Sequence, residues 1–297
     1  MRSSVTRLVL YASPFLLAAL GAVFYFSLPS RDSAATQSGS VQVAGSETMR
    51  AVMTACAEDF MTRHPQSDIV VKGGGSGDGI AALLHGMIDI GMTSRELSQR
   101  ERDYAQSKGI DVAISELALD GITIVVNRAN PIAALDLAQL RDIFAGNVGN
   151  WKEFESRDTD IVPIARAPGS GTASLFDERV MDGKTYGASV QRQPTNEAIV
   201  ADVAARPGAI GYTSLGAARS AGDRVKVIAL QTKAQAAPVM PSPDAIRSGQ
   251  YPLTRALYLG TAGKPASTTK TFLDFCLGAS AQPLLQRAGY VGIARAQ

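Results

Sequence analysis

Three short stretches set hydroxyl side chains beside glycine where a strand-like run gives way to a helical pattern. They are Gly45-Ser46-Glu47-Thr48, Gly75-Ser76-Gly77-Asp78-Gly79 and Arg166-Ala167-Pro168-Gly169-Ser170-Gly171-Thr172. The first turn of a helix has unpaired backbone N–H groups and a partial positive charge. Glycine lets an anion approach that backbone closely. Three such openings that converge would hold a tetrahedral oxyanion with little help from side-chain charge. Arg166, four residues before Ser170, would add a bidentate, charge-assisted contact. Any one of these stretches reads as an ordinary helix cap. Three in one chain, each behind a strand-like run, point to anion binding.

Other chemistries fit less well. No lysine follows these glycines, as G-x-x-x-x-G-K-[ST] would require, and Gly75 to Gly79 closes one residue short of G-x-G-x-x-G. Gly169-Ser170-Gly171 lacks the first spacing of G-x-S-x-G, and no histidine is placed as its base. Two cysteines and two histidines at scattered positions do not make a structural zinc site. His64, before Pro65, and His85 read as surface or capping residues. A phosphoester hydrolase would need a nucleophile with its base, or a metal cluster, and neither is evident. No catalytic residue, cofactor or metal is expected.

The elements around these turns alternate. Ser40–Gly45 reads as a strand, and the helical stripe Val52, Met53, Cys56, Ala57, Phe60 follows until Pro65. "DIVVKG", "IAALLHGMID" and "IGMTSREL" continue as strand, helix and strand. Val112–Asn127 reads as two strand-like runs joined at Asp120-Gly121. Such β-α-β-α-β order signals a mostly parallel sheet with helices on both faces. A second unit follows Asn130-Pro131: a helix capped by Asp136, Trp151 as a packing anchor, then further strands and helices. The extended run Tyr251–Thr261 and two final helices end the chain. At 297 residues two α/β units are the natural expectation.

The N-terminus differs from the rest. Arg2 and Arg7 precede Leu8–Leu28, 21 residues without a charged side chain. A helix of that length spans roughly 30 Å, one hydrocarbon core. Positive charge ahead of it keeps the N-terminus in the cytoplasm and exports the remainder. An uncleaved anchor is the preferred reading of residues 1–30. A signal peptide cleaved near Ser33-Ala34-Ala35 is the alternative, and residues 31–40 read as a linker. With the three basic residues and one acid of the first 40 set aside, 26 basic and 26 acidic side chains remain. That neutral balance argues against a nucleic-acid partner. Cys56 and Cys276 are the only cysteines. An oxidising compartment permits a disulfide, and two buried free thiols are equally ordinary.

In order, "GSETM", "GGGSGDGI", "DIGMTSREL", "DGITIVVN", "LAQLRDIFAGNVGNWKEF", "RAPGSGTASLF", "GAIGYTSL" and "YPLTRALYLGT" resemble the phosphate-binding proteins of bacterial phosphate ABC transporters. The resemblance covers roughly residues 41–292. It implies the type II periplasmic binding protein fold: two α/β lobes, 41–119 with 253–297 and 120–252, crossed twice near Asp120–Asn127 and Tyr251–Thr261, with ligand in the cleft. It implies phosphate contacts at Ser46, Glu47, Thr48, Ser76, Ser94 with Arg95 nearby, Arg166, Ser170, Gly171 and Thr172. One branch of the family has aspartate where Ser94 stands; its charge accepts the proton of hydrogen phosphate and repels sulfate. Asp120 or Glu47 would have to substitute. Glu47 also departs from a common hydroxyl, and a carboxylate beside a dianion is costly. The expectations are a monomer in the periplasm, held at the inner membrane by its N-terminal helix, that delivers phosphate to permease subunits. Another oxyanion (sulfate, molybdate, arsenate) or a membrane-anchored phosphate sensor are the alternatives.

Overall fold

The computed structural model describes residues 40–293. The expected signal or anchor helix and all but the last residue of the linker lie outside the described residues. Among the described residues no helix is long and apolar enough to cross a membrane.

The chain runs β1 (Val41–Gly45), α1 (Glu47–Arg63), β2 (Ile69–Gly74), α2 (Ser76–Leu84), β3 (Ile90–Thr93), α3 (Gln99–Ser107) and the long β4 (Val112–Asn127). It continues through β5 (Ala134–Asp136), α4 (Leu137–Ala145), β6 (Val162–Arg166), α5 (Gly171–Phe176), β7 (Gln191–Gln193) and α6 (Asn196–Ala205). Next come β8 (Ala209–Ser214), α7 (Leu215–Ala221), β9 (Val225–Val227), β10 (Ala229–Gln231) and α8 (Pro243–Arg247). β11 (Thr254–Ala262), α9 (Ser267–Leu277), α10 (Gln282–Arg287) and β12 (Val291–Gly292) complete it.

Several helices begin where a side chain caps them. Asp136 accepts from the Gln139 backbone N–H and its own N–H is held by the Gln139 side chain, while Gly146 ends α4 in the left-handed region at φ 80°. Ser98 and Glu101 form the same reciprocal box at α3. α1 buries Val52, Met53, Cys56, Ala57 and Phe60, the stripe expected from its 3.6-residue period.

Ten strands form one mixed sheet, ordered β2-β1-β3-β11-β4-β8-β6-β7 with β9 and β12 also on β4. Its flanks are parallel: β1 pairs with β2 and β3, and β6 with β7 and β8. Its centre is antiparallel, which corrects the expectation of a mostly parallel sheet. The two runs expected at Val112–Asn127 are a single strand that changes partner. Val112 to Gly121 pairs with β11, and Ile122 to Asn127 pairs with β8 and β9. β4 and β11 run in opposite directions, so the sheet they join cannot be parallel at its middle.

Separate cores pack along this sheet. One gathers Met49, Met53, Cys56, Phe60, Phe272, Cys276 and Leu285 from α1, α9 and α10. Another gathers Phe144, Trp151, Phe176, Tyr212 and Tyr251, with the Phe176 and Tyr212 rings stacked at 3.9 Å. Trp151 is buried there and donates its indole N–H to the Gly208 carbonyl, the packing role its sequence context suggested.

Candidate functional site

Where β4 changes partners, the openings of α1, α2 and α5 come together. Ser46 caps α1 without using its side chain for the cap. Its hydroxyl donates instead to Ser94 Oγ at 3.0 Å. Ser94 Oγ and Ser76 Oγ are 3.1 Å apart, and the Ser94 backbone N–H donates to Ser76 Oγ. Gly171 lies directly against this pair: a Cβ there would sit 2.4 Å from Ser94 Oγ and 2.5 Å from Ser76 Oγ. Ser170 accepts from the Thr172 and Ala173 N–H groups and so starts α5. The two sides of the site already touch, with the Gly77 N–H bonded to the Gly169 carbonyl at 3.1 Å.

A second cluster joins the first through Thr48 and Thr172. Their hydroxyls are 3.2 Å apart. Arg255 on β11 donates to both, and to Asp120 through Nε and Nη2 at 3.0 and 2.7 Å. The other Asp120 oxygen accepts the Leu215 N–H. Asn196 donates to Thr48 Oγ1 and accepts from Arg166 Nη1 at 2.5 Å. The Tyr290 hydroxyl donates to the Thr48 carbonyl. Every one of these polar side chains is buried or nearly so.

The balance of donors is one-sided. Thr48 Oγ1 accepts from Asn196 and Arg255, so its proton goes to Thr172 Oγ1, which also accepts from Arg255. The Thr172 proton is left to donate. Among Ser46, Ser76 and Ser94, the arrangement likewise leaves one hydroxyl proton over, on Ser76 or Ser94. Two carboxylates close to these groups, Asp120 and Glu47, are engaged. Asp120 is bonded to Arg255 and a backbone N–H; burial pushes its carboxyl up and Arg255 offsets part of that rise. The Glu47 carboxylate turns to the β2–α2 connection, where it accepts from the Gly74 N–H and Arg50. Gly73 makes room for it, since a Cβ there would collide with Glu47 Oε1.

Arg166 is the charged group without a counterion. It is 1% exposed. Its Nη atoms bond to Asn196 and the Pro194 carbonyl, its Nε has no partner, and it makes no ion pair among the described residues. Burial, and then the Arg255 charge, push its guanidinium down to about 10. An unpaired buried cation costs several kcal/mol until an anion joins it.

Of the residues singled out from sequence, Ser46, Thr48, Ser76, Ser94, Asp120, Arg166, Ser170, Gly171 and Thr172 meet in this network. Two face elsewhere. The Glu47 carboxylate is held at the turn. Arg95 is bonded to both Glu101 oxygens, at 2.8 and 2.7 Å, because Glu101 heads the neighbouring helix. Arg95 lines a cavity of about 670 Å³ that shares Ser94 and Arg255 with the network. Sequence reasoning missed Arg255, Asn196, Tyr290 and Ser214, whose hydroxyl accepts from Asn196. For Arg255 a signal existed: in "TRALYLGTA" it occupies a buried register position among alternating apolar residues.

Comparison with known proteins agrees with this geometry. A family profile described as a PBP superfamily domain matches residues 30–280. The chain is 28% identical to the phosphate-binding protein PstS of Bacillus subtilis, over 97% of this chain and 93% of that one. It superposes on an ABC-type phosphate transport receptor from Vibrio cholerae with a TM-score of 0.70 at 30% identity, covering 85% of this chain and all of that one. A candidate phosphate ABC transporter substrate-binding protein from Clostridium perfringens, solved with bound phosphate, gives a TM-score of 0.77 at 28% identity, over 86% and 100% of the two chains. The chain belongs to the PBP superfamily, among the phosphate-binding proteins of bacterial phosphate ABC transporters.

Proposed function

We propose that this protein binds inorganic phosphate between two lobes, 41–119 with 253–297 and 120–252, and delivers it to the permease subunits of an ABC transporter. The observation that carries the reading is Arg166: a buried guanidinium without a counterion, next to hydroxyl and backbone donors from three helix openings. Phosphate supplies the missing charge and takes the surplus protons of Thr172 and of the serine cluster. The relative solved with bound phosphate supports that choice of anion. Arg166, Ser46, Thr48, Ser76, Ser94, Ser170, Gly171 and Thr172 are the proposed direct contacts. Arg255 and Asp120 hold the threonines in place. The site performs no chemistry on its ligand. The apolar N-terminal stretch keeps the monomeric binding domain at the outer face of the inner membrane.

Titration calorimetry of residues 41–297 tests the reading. Phosphate is expected to give a saturable heat at micromolar protein, and Arg166→Ala is expected to weaken binding at least 100-fold, as removal of a charge-assisted buried contact does. Ser170→Ala is expected to cost less. No heat with the unmodified chain, or equal affinity in the Arg166 variant, would overturn the assignment.

One observation favours a second reading. Asp120, the carboxylate inside the network, has both oxygens engaged. A fully deprotonated oxyanion such as sulfate needs no acceptor. Hydrogen phosphate must place its proton on a serine oxygen. Competition between phosphate and sulfate decides: sulfate displacing phosphate at equal concentration would reassign the ligand.

A further inference from the structure

Away from the anion site, Cys56 on α1 and Cys276 on α9 meet inside the core. They are the only cysteines in the sequence, both fully buried and both free thiols here. The helices that carry them pack together through aromatic contacts placed one turn away. Phe60, four residues after Cys56, meets Phe272, four residues before Cys276, edge to face with ring centres 5.2 Å apart. Phe275 approaches Phe60 at 5.5 Å. One turn along from these contacts, the Cys56 and Cys276 side chains share one core cluster and face each other closely enough to interact. No group of three or more possible metal ligands occurs among the described residues, so the pair is not part of a metal cluster of that kind.

We propose that Cys56 and Cys276 form an intramolecular disulfide in the exported protein, tying α1 to α9. The pairing rests on export to an oxidising compartment, where such bonds form and persist. One thiolate attacks a sulfur of a small-molecule or enzyme disulfide and displaces one thiol of that oxidant. The second cysteine then attacks the mixed disulfide and displaces the other. Two electrons pass from the cysteine pair to the oxidant, and the two thiol protons end on its released thiols. Both sulfurs are sealed from solvent, and burial holds the Cys276 thiol well above its ordinary value. The bond therefore forms before final packing, and the folded protein protects it from reductant. It closes nearly the whole binding domain into one loop. It also ties down the helix whose first turn carries Thr48, whose carbonyl already takes a hydrogen bond from Tyr290 of the C-terminal segment.

The full chain, reduced and unfolded, is refolded in a buffer rich in oxidised glutathione. It is then quenched in acid, unfolded and treated with N-ethylmaleimide, and its intact mass is measured. The expected product carries no adduct, has lost two hydrogens, and gains two adducts after reduction. Two adducts without reduction, or one glutathione retained per chain, would overturn the proposal. Cys276→Ser fixes the baseline, since its single thiol can end only as an adduct or a mixed disulfide. Neither phosphate nor cell fractionation enters the readout, so failure of the proposed function and failure of this bond are separate results.

Discussion

Asp120 and Arg255 form the only ion pair among the described residues in which both side chains are almost completely buried, 0% and 3% exposed. Their role follows from what Arg255 touches besides Asp120: the hydroxyls of Thr48 and Thr172, one from each side of the site. Asp120→Asn leaves Arg255 as a second unbalanced cation beside Arg166. It is expected to destabilise the unliganded protein by about 3–5 kcal/mol, a fall in thermal midpoint of roughly 6–20 °C for a domain of this size. A midpoint within 2 °C of the parent would contradict the pairing. Gly171 belongs at the same scale. Any side chain there collides with Ser76 and Ser94, so α5 reaches the serine cluster only because residue 171 has none.

At the scale of elements, α3 shows how one short helix draws a candidate residue out of the site. Its first turn carries Glu101, which bonds the Ser98 N–H as a capping group and takes Arg95 as an ion-pair partner. Burial pushes the Glu101 carboxyl up, but hydrogen bonds from Arg95 and Ser98 outweigh it, and the group ends below its ordinary value of 4.5. A carboxyl held down in the folded state stabilises the protein above its unfolded value, and that contribution fades as pH falls through the folded value. Glu101→Gln keeps the cap and removes the charge. It is expected to lower stability at pH 7 by about 0.5–1 kcal/mol, with the gap narrowing as pH falls below the ordinary carboxyl value. Thermal melts of both proteins across an acid series check this; a gap that does not narrow in acid would assign the effect to packing instead.

At the scale of the molecule, β4 contributes residues to both of the larger core groups and changes neighbours at Gly121 and Ile122. A crossing of this kind is where a hinge would bend. If binding closes the molecule, phosphate is expected to reduce the radius of gyration in X-ray scattering. It is also expected to raise the thermal midpoint with ligand concentration, by about 2.7 kcal/mol of added stability at 100 times the dissociation constant. A rise in midpoint without compaction would mean that the site is preformed and the crossing does not bend.

The sequence by itself determined the local parts. Ser46, Ser76 and Ser170 lie at helix openings because strand-like runs, glycines and apolar stripes around them define where each helix begins. Asp136 and Gly146 bound α4 for the same local reason. Arg166 stood out because a cation next to such an opening has an evident use. Only the tertiary structure decided which groups are spent and which remain. Asp120 meets Arg255 across 135 residues of chain, and Asn196 reaches Thr48 across 148. Glu47 folds back on Gly74, which no spacing rule foretells. A hydroxyl or carboxylate has few bonds to give, and whether they go to a ligand depends on neighbours that only the folded chain supplies.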